Sequence, residues 1–149
     1  KEGLQLEVLQ AAVHAFETEA VKPISSLPRG EPRLRGFFDA WLAWGRDSPN
    51  PGGCPLMSAS VELDDRPGAV RDLLVSSRRQ MLAFIEKAAQ LAIEEGHFRA
   101  DLDLQQFAFE AFAASLGFHH AHRLLKDPQA ELRMRNALER LIQWAKPTT

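Results

Sequence analysis

One cysteine, Cys54, stands among 149 residues, and there is no tyrosine at all. A lone thiol cannot staple a domain internally, so nothing here points to a disulfide framework or an oxidising compartment. No run of 18 or more uncharged apolar residues occurs, which excludes a membrane-spanning helix. No basic-then-apolar stretch opens the chain, so no secretion leader is expected in it. The expected location is the cytoplasm. A positive excess is missing too: 18 Lys and Arg face 20 Asp and Glu, for a net charge of -2. Nucleic-acid binders draw much of their affinity from released counterions. This stretch by itself is therefore not expected to bind DNA well.

The usual chemical signatures are also absent. No Gly-x-Gly-x-x-Gly opens a helix, and no Gly-x-x-x-x-Gly-Lys-Ser/Thr loop cradles a phosphate. There is no His-Glu-x-x-His, and no serine lies in a nucleophile signature. Cys54 beside Pro55 reads as a small packed residue. The sequence thus assigns no catalytic residue, no cofactor and no metal, and the protein is not expected to be an enzyme. The one cluster that competes with this is Phe118-His-His-Ala-His122. It sets His119 and His122 three residues apart on one helical face, where they could hold a metal or a polar ligand group. A metal needs further ligands, and Glu110 lies more than two turns away. Polar lining of a pocket or an interface is the stronger reading. A helical metal- or small-molecule-binding protein, or an enzyme using His119 and His122, remains the rival.

What the chain does contain is helical periodicity. At 45% apolar and 26% charged residues it has the make-up of a globular domain with its own core. Leu6, Leu9, Val13, Phe16 and Ala20 form a stripe that predicts a helix over 1–21, stopped by Pro23. Residues 24–31 read as a loop. Pro32 then suits the first turn of a helix to Arg46, with Leu34, Phe37, Phe38, Trp41 and Leu42 on one face. A Pro/Gly-rich loop over 47–53 precedes a short helix at 56–63. The longest helix runs over 68–95, its apolar side marked by Val70, Leu73, Leu74, Ser77, Met81, Phe84, Ile85, Ala88 and Leu91. Gly96 is placed to cap it. Asp103, with Gln106 three residues on, starts a helix to about 126. Its first half, Phe107–Phe118, is apolar nearly all round and needs partners on two sides. Asp127-Pro128 is expected to cap and start a last helix to about 146, with Met134, Leu138, Leu141, Ile142 and Ala145 inward. No strand pattern and no repeat appears. The fold class is all-α, six helices in a single domain over 1–149.

Three stretches carry a family resemblance. The opening Lys1-Glu-Gly-Leu4 enters a long helix with no capping residue. It resembles the junction below the helix-turn-helix head of TetR-family regulators. Gly53-Cys-Pro-Leu56, followed by Glu62-Leu-Asp-Asp-Arg-Pro-Gly-Ala-Val-Arg71, resembles the sensing domain of one TetR subgroup. Gly96-His-Phe-Arg-Ala-Asp-Leu-Asp103 is similar to the family's turn before the penultimate helix. Pro55 departs from the pattern, where an aliphatic residue is more usual.

The resemblance implies a TetR-like C-terminal domain cut from its DNA-binding head. Its last two helices would form a four-helix bundle across a two-fold axis, making a homodimer. Expected interface residues are Phe118, Ala121, Leu125, Leu138, Leu141 and Trp144. The resemblance also implies a transcriptional regulator, a repressor by the family's commoner sense, that senses a small hydrophobic or aromatic effector inside each subunit. Expected ligand-binding residues are Phe16, Phe37, Trp41, Met57, Met81, Phe84, Phe112 and His119. Operator DNA would be read only through the absent head, and effector binding would release it.

Overall fold

Residues 1–149 are described by a computed structural model. The apolar spacing folds into six α-helices with no strand: α1 Glu2–Phe16, α2 Glu31–Arg46, α3 Pro55–Glu62, α4 Ala69–Glu94, α5 Leu104–Arg123 and α6 Ala130–Ala145. The α2 face expected from the sequence is the buried one, Leu34, Phe37, Phe38, Trp41 and Leu42. The α6 stripe likewise faces inward.

Two predicted boundaries are corrected. The first helix does not stop at Pro23. It winds wider into a π turn over Glu17–Val21, then tightens into a 3₁₀ turn over Lys22–Ser26 that carries Pro23 in its first positions. Proline has no N–H to lose there, so the chain can keep turning. The last helix starts at Ala130, two residues later than Pro128 suggests. Asp127 closes the preceding turn, accepting from the Gln129 N–H at 2.8 Å.

Other helix ends follow their residues. The Asp103 carboxylate accepts from the Gln106 N–H at 2.9 Å, while the Gln106 side chain turns to Glu110. This is the cap without its reciprocal half. Gly96 takes φ 76°, and the Gly96 and His97 N–H groups donate to Ile93 and Ala92. Those two bonds form a Schellman motif. The same turn serves α2: His97 Nδ1 accepts from the Glu31 N–H at 3.0 Å.

The apolar residues separate into two clusters. The larger centres on Phe37, Phe107, Leu34, Leu42, Ile85 and Ile142, and joins α2, α4, α5 and α6. The smaller holds Leu9, Ala12, Cys54, Leu56, Met57, Val70 and Leu74, between α1, α3 and the start of α4. The seam between the clusters positions the candidate site.

A candidate ligand cavity at the seam

Along α4 the burial is continuous at both ends and broken in the middle. Val70 and Leu74 are buried, and so are Ile85, Ala88 and Ala89. Between them Ser77, Arg78, Met81 and Phe84 are only half-buried. They face a cavity of about 240 Å³, closed on the α1 side by Val13, Phe16, Glu17 and Val21. The π turn of the first helix therefore supplies part of the wall. Leu56 of α3 completes the apolar lining, and Gln80 sits at its edge. Beside it lies a second cavity of about 30 Å³, reached past the shared residues Phe16, Leu56, Arg78 and Met81. Trp41, Trp44, Met57, Ser115, Phe118 and His119 surround this smaller space.

Six expected ligand residues line these two spaces: Phe16, Met81 and Phe84 the larger, Trp41, Met57 and His119 the smaller, with Phe16 and Met81 common to both. Phe37 does not. It is 0% exposed and lies behind the wall, 4.8 Å from the Phe84 ring and 5.4 Å from Trp41. At helical spacing it was indistinguishable from Trp41, one turn further on, which shares its face of α2 and its cluster but lies at the level of the smaller space. Phe112 is a support as well. Its ring lies under the Arg78 guanidinium, 5.4 Å away, and 6.0 Å from Trp41.

The most informative residue at the site escaped the sequence reading. Arg78 lies on the apolar side of α4, four residues after Leu74 and seven before Ile85. A charge on that stripe was the available signal. Its Nε donates to the Ser60 hydroxyl at 3.3 Å. Ser60 in turn donates to the Leu56 carbonyl at 2.5 Å. One terminal nitrogen of Arg78 is buried with no hydrogen-bond partner. The only group that favours its charge is Cys54, and desolvation outweighs it, pushing the guanidinium below its ordinary value. Trp44 Nε1 and His119 Nε2 are buried without partners as well. Burial also lowers the His119 pKa, followed by repulsion from Arg123, His122, Arg78 and His120, so His119 is held neutral near pH 7.

The other histidine of the expected pair is engaged elsewhere. The His122 ring stacks on Phe118 at 5.1 Å and 14°. No group of three or more His, Cys, Asp or Glu side chains gathers that could hold a metal. The serine at the cavity wall, Ser77, donates its hydroxyl to the Leu74 carbonyl at 3.0 Å, leaving it unpaired with any base.

The expected interface residues divide. Phe118, Leu138 and Leu141 are each 5% exposed and pack inside the chain's own core. Phe118 lies on Gly45 of α2, and Leu138 and Leu141 sit on the buried face of α6. Ala121 is half-buried against that core, while Leu125 and Trp144 are exposed. The open apolar face of α5 is a different stripe: Phe109, Ala113, Leu116, Gly117 and Leu124, all exposed. Periodicity revealed two apolar faces but not which one turns inward.

With this geometry in place, comparison identifies relatives. A model of the tetracyclin repressor-like C-terminal domain matches residues 30–138. The fold is similar to a TetR transcriptional regulator from Chloroflexus aurantiacus, at a TM-score of 0.82 and 20% identity, covering 96% of this chain and 71% of that one. It is also similar to a TetR-family regulator from Cytophaga hutchinsonii, at 0.72 and 19%, covering 96% and 70%. AibR, solved in complex with isovaleryl coenzyme A and operator DNA, matches at 0.72 and 15%, covering 99% and 76%. Among curated proteins none matches the sequence.

Proposed function

Because the chain belongs to the tetracyclin repressor-like C-terminal domain family, we propose that it is the effector-sensing and dimerising domain of a DNA-binding transcription regulator. The observation that carries this reading is the cavity at the seam, walled by α1, α2, α3, α4 and α5 and lined mainly by apolar side chains. Such spaces between helices are where small ligands bind. The whole of 1–149 acts as this one domain, in the cytoplasm, without a catalytic step. Operator DNA is read by a helix-turn-helix outside these residues, and effector binding releases it, as in a repressor.

The first helix is the element that couples the two events. Phe16, Glu17 and Val21 wall the cavity at its far end, and its near end leads toward the head. A ligand that fits only one position of this helix shifts the population of the two states. The coupling is reciprocal, so DNA changes ligand affinity by the same factor. Two subunits pair through the exposed stripe on α5 with Leu125, Leu132 and Trp144, burying an apolar patch that a monomer leaves to water.

Native mass spectrometry tests the reading. The expected particle has twice the chain mass and carries a non-covalent small-molecule adduct on each subunit. Met81→Trp fills the cavity and is expected to remove the adduct while the dimer persists. A monomer with no adduct, insensitive to Met81→Trp, would reject the reading.

A further inference from the structure

The two cavities differ in chemistry. The larger is mainly apolar: Val13, Phe16, Val21, Leu56, Met81 and Phe84 dominate its wall. The smaller is also mostly apolar but has nitrogen-bearing side chains in its wall. Trp44 Nε1, His119 Nε2 and a terminal nitrogen of Arg78 are all buried, all without a partner in the protein, and all belong to residues lining this one space. Only one further side-chain nitrogen in the molecule is buried and unpartnered, that of Arg99, whose guanidinium lies over the Trp144 ring at 4.5 Å. Orphaned buried polar atoms are rare in folded proteins and each calls for an explanation. Three in the same small space share one.

Arg78 makes the case specific. No Asp or Glu pairs with it, and the influences on its charge are burial and Cys54 alone. The one carboxylate among the residues lining the two spaces is Glu17, which is exposed and lines the larger one only. A buried guanidinium without a counter-ion is costly, since charge is tolerated inside proteins when it is paired. Its planar fork fits a carboxylate with two parallel bonds. The smaller space, about 30 Å³, exceeds the roughly 10–15 Å³ that holds one water molecule and leaves room for a small head group. The larger, about 240 Å³, lies below the roughly 300–1,000 Å³ of sites for drug-sized ligands. It suits a single ring or a medium-length alkyl chain.

We propose that the effector is a small amphipathic carboxylic acid, its carboxylate held by Arg78 with Trp44 and His119, its apolar body lying between Phe16, Met81 and Phe84. This rests on the ligand-binding role proposed above and names the ligand class. Arg78 supplies the charge, and neutral Trp44 contributes an N–H. His119 contributes an N–H in the tautomer that places its proton on Nε2. Release of the cation from its unpaired state adds to the affinity for an anion and for no neutral compound of the same shape.

The test compares acids with their own primary amides, octanoate with octanamide and 4-phenylbutyrate with 4-phenylbutyramide. Binding is followed by calorimetry and by quenching of Trp41 and Trp44, which line the site. At least one acid is expected to bind tenfold or more tightly than its amide. Arg78→Gln is expected to erase that preference, leaving amide affinity within about twofold. Arg78→Lys, which keeps the charge without the fork, is expected to keep part of it. A second readout needs no ligand: Arg78→Met removes an unpaired buried charge, so its melting temperature is expected to match or exceed the wild type. Equal binding of acid and amide, or a preference that survives Arg78→Gln, would overturn the carboxylate assignment while leaving a ligand cavity intact. A lower melting temperature for Arg78→Met would also overturn it, making Arg78 structural. Failure of all four probes to bind would bring down the ligand-binding reading itself.

Discussion

Arg35 reaches from α2 to α6 and grips Glu139 with two bonds, 2.6 and 3.0 Å. It also holds Glu31 at 2.9 Å. The guanidinium, with Gln143 second, holds the Glu139 carboxyl at about 2, well below its ordinary 4.5. A carboxylate depressed in the folded state stabilises fully above its unfolded value. That contribution fades as pH falls from about 4.5 through about 2. Both side chains are partly exposed, so the energy at stake is small. Carboxyl NMR titration is expected to place the Glu139 midpoint well below 4.5 and to move it upward in Arg35→Met. A wild-type midpoint near 4.5 would mean the α2–α6 pair does not form in solution. Neither this pair nor Arg78 was legible from residue type. An arginine on a polar face and one on an apolar stripe look alike until the neighbours are known.

At the scale of elements, the turn after α4 shows how two helices share one device. Gly96 ends α4, and the next residue, His97, takes the first N–H of α2. Gly30, which precedes that N–H, has φ 91° and ψ -138°, a region essentially reserved for glycine. A Cβ there would also run into His97 Nδ1. Gly30→Ala is expected to cost about 1–3 kcal/mol in backbone strain alone. At about 2–4 °C per kcal/mol for a chain of this size, circular dichroism should show a fall of several degrees in melting temperature. An unchanged transition would show that the turn relaxes freely. The capping role of Gly96 was readable from its place after a long stripe. The need for glycine at 30 was not, because its cause sits 67 residues further on.

The first helix teaches a related lesson. Its stripe predicted the residues that turn inward, Leu9, Phe16 and Ala20 among them. It did not predict that the last turn widens into a π turn. α5 is the converse case. Its composition announced two apolar faces, and the structure assigned Phe107, Ala111, Ser115 and Phe118 to the interior. Phe109, Leu116 and Leu124 were left outside, at 67%, 43% and 69% exposure.

For the whole molecule, the proposed pairing of subunits runs through the outer stripe. Phe109→Asp with Leu116→Asp is expected to give a folded monomer, because the charges enter water when the pair separates. Leu138→Asp with Leu141→Asp is expected instead to unfold the chain, since both side chains lie in its own core and the charges would be buried unpaired. Sedimentation alongside circular dichroism separates the outcomes. A dimer that survives the first pair of changes would exclude this face as the interface. The second pair would then report on the core alone.

Sequence by itself determined the helices, because period and capping are local: each apolar stripe and each Gly or Asp at a helix end acts within a few residues. It determined the family resemblance, and most of the aromatic set around the cavity. Only the tertiary structure decided which of two apolar faces is core and which aromatic stands behind the wall. It alone showed that three nitrogens from α2, α4 and α5 gather without partners at one small space. Those facts concern side chains far apart in the chain. Their energies depend on what lies opposite, and no local pattern records that.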